Sequence, residues 1–328
     1  MSAPTLENFK SPIWLPNGHF QTIYPSLFRK RGEMIFEKER ILSPDDDFLD
    51  LFWSKSTPRK SDARNPLVVL SHGLEGSVES QYIVGMVKHL NNHGFDCLAW
   101  NFRGCGEELN RKARFYHSGA TEDLDLVVQQ AIFKGYDQIS LMGFSLGGNL
   151  TLKYLGERGS KVSKNIRNAV TFSTPMDLEA CSLALSEFRN RLYMNRFLKS
   201  LSIKIHQKGA LFADQIDLTK YSKVKTLYDF DDIYTAPLHG FENATHYYST
   251  CSSQHFIGNI GIKTLIVNAK NDPFVPFNSI PVSAIIKNDF LILESPREGG
   301  HCGFRPAILK NNVYWSEARA LLFLTEGI

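Results

Sequence analysis

Leu141-Met142-Gly143-Phe144-Ser145-Leu146-Gly147-Gly148-Asn149-Leu150 decides how this chain is read. An apolar run leads into Gly-x-Ser-x-Gly, and an apolar helical pattern follows. This is the pattern of a strand-to-helix turn that lifts a serine hydroxyl out at the start of a helix. Gly143 and Gly147 have no Cβ, so the turn can be sharp and other backbone can come close to it. Alone the motif is weak, since roughly one chain in ten of this length would carry it by chance at ordinary glycine and serine frequencies. It gains meaning from its neighbours: a strand before it, a helix behind it, and an acid and a base further on.

The sequence around it alternates in that way. Residues 67–71, 95–100, 138–142 and 169–173 are short apolar runs of buried-strand type. Residues 81–90 and 146–157 are helical in pattern. So is the stretch from Thr121, which can cap a helix with Glu122 and Asp123 in its first turn and Leu124, Val127, Val128 and Ala131 on one face. Strands alternating with helices predict a mostly parallel sheet covered on both faces. Upstream, residues 34–42 and 48–54 flank the turn cluster Ser43-Pro-Asp-Asp-Asp47 and predict a hairpin. Residues 1–30, rich in proline and aromatics, predict an arm across the domain surface, because the prolines argue against a long helix. Residues 55–66 are polar and predict a surface loop.

The alternation breaks near Pro175. Helical sequence without a clear strand then runs to about residue 258. Strand patterns resume at 263–268 and 290–293, and 313–324 reads as a closing helix. The expected organisation is an α/β core over 31–174 and 259–328, with a helical cap over 175–258. Within the cap, residues 196–208 place Phe197, Leu198, Leu201 and Ile205 on one helical face with lysines and arginines around it. The plain expectation is a cap helix with a solvated basic side; the sharper one is a peripheral contact with lipid.

A serine hydroxyl attacks poorly until a base takes its proton, and the base must be held in one tautomer by an acid. In the α/β-hydrolase arrangement the chain order is Ser, Asp or Glu, then His. Asp272 lies just beyond the predicted strand 263–268, and His301, between glycines and Cys302, follows the last strand. Ser145, Asp272 and His301 thus come in the required order, each after its own strand. Glu294 is the rival acid, and Asp231 and Asp232 are weaker ones. Cys302 is expected to be a small buried side chain. The Leu146 amide and the Leu74 amide, in His72-Gly-Leu-Glu-Gly76, are the expected oxyanion donors. His72 precedes the serine, lacks partner ligands at metal spacing, and is expected to be structural. Asn101-Phe-Arg103-Gly-Cys-Gly106 lacks the third glycine of a dinucleotide fingerprint. Arg103 is expected to brace the loops around the site.

Composition narrows the rest. The 328 residues are 43% hydrophobic and 22% charged, with a net charge of +3. No basic block interleaved with aromatics points to nucleic acid. The five scattered cysteines form no Cys-x-x-Cys pair, which fits a reduced, cytoplasmic setting. No signal peptide or membrane span is expected, and no metal or cofactor is called for.

Several segments together resemble the YheT-like branch of the α/β hydrolases. They are Asn17-Gly-His19-Phe-Gln21-Thr22, His72-Gly-Leu-Glu-Gly76, Asn101-Phe-Arg-Gly-Cys105, Tyr116-His-Ser-Gly119, Gly143-Phe-Ser-Leu-Gly147, Tyr234-Thr-Ala-Pro-Leu-His-Gly-Phe241 with Tyr247-Tyr248, and Gly299-Gly-His-Cys-Gly-Phe304. The resemblance spans nearly the whole chain. It implies a carboxylester hydrolase with Ser145, Asp272 and His301 as charge-relay residues and a cap that shapes an apolar acyl pocket. The expected reaction is cleavage of esters of short to medium acyl chains through an acyl-enzyme. Acyl transfer to an alcohol or thiol would use the same residues, and a silent hydrolase fold serving as a binding module is the reading from another class.

Overall fold

A computed structural model describes residues 9–30, 32, 34–56 and 65–327. The first eight residues of the expected arm and the tip of the 55–66 loop lie outside the described residues. An eight-stranded sheet runs in the order β1-β2-β4-β3-β5-β6-β7-β8. Its strands are β1 (Glu37–Leu42), β2 (Phe48–Ser54), β3 (Leu67–Ser71), β4 (Asp96–Asn101), β5 (Ile139–Phe144), β6 (Ile166–Phe172), β7 (Lys263–Val267) and β8 (Leu291–Glu294). β1 and β2 form the expected antiparallel hairpin, and β2 also pairs antiparallel with β4; every other pairing is parallel.

The helices are α1 (Gly18–Phe28), α2 (Gln81–Asn91), α3 (Thr121–Phe133), α4 (Leu146–Arg158), α5 (Leu178–Ser186), α6 (Arg191–Leu211), α7 (Leu227–Phe230), α8 (Ala236–Leu238), α9 (Ala244–Cys251), α10 (Val282–Ile286) and α11 (Trp315–Glu326). Side chains alternate across a strand. Leu67 and Val69 of β3 therefore join the core that holds Leu124, Val127 and Leu150 of α3 and α4. Val68 and Leu70 join the opposite core, with Met86 and Leu90 of α2 and Phe323 of α11. Both faces are covered, which is why the central strands read as unbroken apolar runs.

Three details differ from expectation. Thr121 does not cap α3: Ala120 holds that position, and the Thr121 hydroxyl donates to Glu157 at 2.7 Å. The proline-rich arm contains a three-turn helix, α1, which includes Pro25; Asn17 caps it, accepting from the His19 and Phe20 amides. The prolines limit its length without preventing it.

The third concerns α6. Its apolar face turns inward, with Leu201 and Ile205 buried and Phe197 half-buried, so that face is spent on the molecule's own interior. Its basic side is not all solvated. Lys204 and Lys208 are buried, because partners reach them: Glu75 for Lys204, and the Asn110 carbonyl at 2.6 Å for Lys208. Helical periodicity finds the apolar face but cannot foresee those partners, which come from distant segments. No described helix is long and apolar enough to cross a membrane.

Candidate active site

Ser145 sits between β5 and α4 with φ 53° and ψ −121°. A non-glycine residue in such a conformation carries about 1–3 kcal/mol of strain, so its surroundings must hold it. They do so by close backbone contact. A Cβ on Gly143 would come within 2.2 Å of the Gly147 carbonyl oxygen, and one on Gly147 within 2.4 Å of the Ser71 carbonyl oxygen. The two glycines let helix and strands close on the turn, and the serine hydroxyl is left facing a cavity.

The three residues singled out by chain order meet here. His301 Nε2 lies 2.8 Å from Ser145 Oγ, and His301 Nδ1 lies 2.9 Å from Asp272 Oδ2. With Nδ1–H donating to the carboxylate, Nε2 is the acceptor for the serine hydroxyl. The Asp272 side chain is fully buried and its Oδ1 accepts from the Phe274 and Val275 amides at 2.8 and 3.2 Å. The Phe274 ring packs on the imidazole, 4.4 Å between centroids. Ser145, Asp272 and His301 follow β5, β7 and β8, so all three stand at the carboxyl edge of the parallel sheet, where open α/β sheets gather their sites.

The two expected oxyanion donors lie in the same place. Leu74 and Leu146 line the cavity with Ser145 and His301. Leu146 is the first residue of α4, and its amide has no acceptor within its own helix. In the turn after β3 the Gly73 amide donates to the Tyr82 hydroxyl at 2.9 Å and the Glu75 amide to the Tyr116 hydroxyl at 3.0 Å. Two tyrosines thus engage the amides on either side of Leu74.

The rivals are otherwise employed. Glu294 takes the Arg319 guanidinium at 2.7 Å. Asp232 accepts from the Ala244 amide, and Asp231 from the Tyr248 hydroxyl at 2.7 Å. Asp231 lines the cavity, and burial pushes its carboxyl up to about 6. Burial raises the Cys302 thiol, and the amide of that residue donates to Ser173. His72 accepts from the Phe102 amide through Nε2 and meets the Gly73 carbonyl through Nδ1; burial pushes it down to about 4. It is a neutral structural side chain. Arg103 forks onto Asp123 at 2.7 and 2.8 Å and reaches Asp45 and Asp47 in the hairpin turn, which ties that turn to the loop after β4.

The arm supplies residues that sequence reading did not assign to the site. Gln21 Oε1 accepts from the Gly299 amide at 2.8 Å and from Asn271 Nδ2 at 2.9 Å, bridging the two loops that carry His301 and Asp272. Thr22 Oγ1 accepts from the His301 amide at 2.9 Å. A Cβ on Gly18 would fall 1.9 Å from the Asn271 carbonyl oxygen, so the arm lies directly on the loop that carries Asp272. The segment Asn17–Thr22 drew notice as a motif, but nothing local in it tells which loop it grips.

Two spaces meet at Ser145. One is a mostly apolar cavity of about 100 Å³, whose wall includes Leu178 and Leu185 of α5, Phe197 and Leu201 of α6, and Leu227 and Phe230 of α7. The other is a groove of about 430 Å³ between α1 and α6, bordered by Thr22, Leu27, Tyr193 and Arg196. His301 lines both.

Known proteins share this framework. A family profile described as the alpha/beta hydrolase fold matches residues 66–304. YheT of Escherichia coli strain K12 is 34% identical over 94% of this chain and 90% of its own length. "Phospholipase ABHD3" of Mus musculus is 30% identical over 92% of this chain and 74% of its own. "Monoacylglycerol lipase" of Saccharomyces cerevisiae is 28% identical over 77% and 58%. Among solved structures, the esterase Pf2001 of Pyrococcus furiosus superposes with a TM-score of 0.54 at 17% identity, covering 89% of this chain and 90% of that one, a likeness of fold. With the profile running from β3 past His301 and YheT aligned along nearly the whole chain, this protein belongs to the α/β-hydrolase family, in the branch that holds YheT and ABHD3.

Proposed function

We propose that the protein is a serine hydrolase of carboxylic esters, acting on short- to medium-chain acyl groups through an acyl-enzyme. The observation that carries this reading is the continuous hydrogen-bond chain from Ser145 through His301 to Asp272 at the floor of an apolar cavity. His301 takes the Ser145 proton as Oγ attacks the ester carbonyl. The Leu74 and Leu146 amides receive the oxyanion of the tetrahedral intermediate, and Asp272 steadies the imidazolium. His301 then gives the proton to the departing alcohol. Water, deprotonated by the same imidazole, attacks the acyl-enzyme and releases the acid.

The helical segment 175–258 acts in this reading as the cap. It supplies most of the apolar wall, so the acyl chain lies in the smaller, mostly apolar cavity. The alcohol portion lies in the larger groove between α1 and α6. Relatives named a phospholipase and a monoacylglycerol lipase are consistent with an acyl-lipid or simple ester as substrate.

The test is Ser145→Ala with p-nitrophenyl esters of two- to twelve-carbon acids. Turnover falls by about 10⁵–10⁶ in kcat, the scale of losing a triad nucleophile. A fluorophosphonate labels the wild type and not the variant, with circular dichroism unchanged. Undiminished turnover in Ser145→Ala overturns the assignment.

A further inference from the structure

The turn after β3 carries a carboxylate that the reaction above leaves without a role. Glu75 directly follows Leu74 and holds φ at 51°, in the left-handed region where a non-glycine residue is uncommon. Its side chain is only 7% exposed. Oε1 accepts from the Tyr116 hydroxyl at 2.7 Å and from Lys204 Nζ at 2.5 Å, and Oε2 accepts from the Ser200 hydroxyl. Ser200 and Lys204 are four residues apart on α6, hence on one face, so both reach the same carboxylate. The Lys204 side chain is 8% exposed, and its ammonium lies 4.6 Å from the centre of the Tyr116 ring.

Two charges so deeply placed persist together because each offsets the other's desolvation. Burial alone would push the Glu75 carboxyl up. Lys204, Ser200 and Tyr116 outweigh it and hold the carboxyl below its ordinary value, so it is ionised at neutral pH. The bonds made by Glu75 also reach the backbone beside it. The Tyr116 hydroxyl that donates to the carboxylate accepts from the Glu75 amide, and the peptide next in line presents the Leu74 N–H.

We propose that the buried Lys204–Glu75 pair is a positioning device, through which helix α6 sets where the Leu74 amide stands against the oxyanion. The inference rests on the ester-hydrolase reading. Neither side chain touches the reacting atoms. Because α6 also lends Phe197 and Leu201 to the acyl cavity, seating this helix joins acyl binding to stabilisation of the intermediate. A pair that only fastened α6 to the core would change stability and substrate binding. A positioning pair changes transition-state binding.

The measurement is kcat and KM on p-nitrophenyl butyrate, with the Ki of a trifluoromethyl ketone that forms a tetrahedral oxyanion adduct on a serine. Lys204→Met keeps much of the stem and removes the charge. Its kcat falls by about 10- to 100-fold, less than the loss of a whole oxyanion donor. KM stays within about twofold, and Ki rises by the same factor as kcat falls. Lys204→Arg, which keeps the charge, restores most of the loss. An unchanged kcat in folded Lys204→Met, or a rise in KM with ketone affinity intact, overturns the proposal. Should Lys204→Met fail to fold, Ser200→Ala takes its place: a matched change in kcat and Ki supports the proposal and an unchanged kcat overturns it. A wild type that neither hydrolyses the ester nor reacts with a fluorophosphonate overturns the underlying reading instead.

Discussion

At the scale of single residues the site is a contest among groups of the same kind. Several carboxylates could serve His301, and burial and partners decide between them. Asp272 is fully buried, receives two amides and faces Nδ1; Glu294 is committed to Arg319. Asp272→Asn is therefore expected to lower kcat by on the order of 10⁴, since an amide does not hold the imidazole in the required tautomer. Glu294→Gln is expected to leave kcat within about twofold and to lower stability by about 1–3 kcal/mol through its weakened bond to Arg319. Steady-state kinetics on both variants checks the pair, and a larger kinetic loss in Glu294→Gln reverses the assignment. The order Ser, Asp, His was legible in the sequence because each residue follows a recognisable strand. That Asp231 would instead face Tyr248 in the cavity wall was not legible, because that contact joins two separate helical segments between β6 and β7.

At the scale of elements the arm matters most. Gln21 is buried, and its side chain makes three hydrogen bonds: to Gly299, to Asn271 and to the Leu15 carbonyl. Gln21→Leu keeps the bulk and removes all three. The stranded Gly299 amide and Leu15 carbonyl together are expected to cost about 2–5 kcal/mol. The freed histidine loop is expected to lower kcat by about tenfold or more, since catalysis falls steeply with small displacements. Urea unfolding and kcat measured on the same preparation check this, and a stability loss with kcat intact shows that the arm does not position His301. The prolines suggested an arm and concealed α1, because a capped helix of eleven residues tolerates Pro25 near its end when the core covers its buried side. The strands were legible for the opposite reason, since a strand buried on both faces declares itself in a few consecutive apolar residues.

At the scale of the whole molecule, desolvated histidines shape the response to acid. Burial holds His72 and His89 at about 4, and His117 well below its ordinary value. Depressed folded-state values mean that the unfolded chain binds protons first. The stability these groups contribute is fully present above about pH 6.5 and is lost as pH falls towards 4. Asp231 works the other way, since its folded value of about 6 lies above its unfolded one, and its contribution is lost as pH rises through 6. Burial also lowers His239 and raises the Glu122 and Glu317 carboxyls, so four histidines stand against three carboxyls, and the urea midpoint is expected to fall between pH 7 and pH 4.5. Asp231→Asn is expected to remove part of the opposing trend and steepen the fall. A flat midpoint across that range contradicts the account.

The sequence by itself determined the alternating core, the sharp turn around Ser145 and the order of Ser145, Asp272 and His301 after their strands. Each of these is written in a few neighbouring residues whose spacing obeys a helix, a strand or a turn. The tertiary structure alone decided that Gln21 and Thr22 hold the histidine loop, that Lys204 and Lys208 are buried, and that an apolar cavity and a larger groove meet at Ser145. The physical reason is the same in each case. The polar side chains Gln21, Lys204 and Lys208 are buried where distant segments bring their partners, and local periodicity carries no record of those partners.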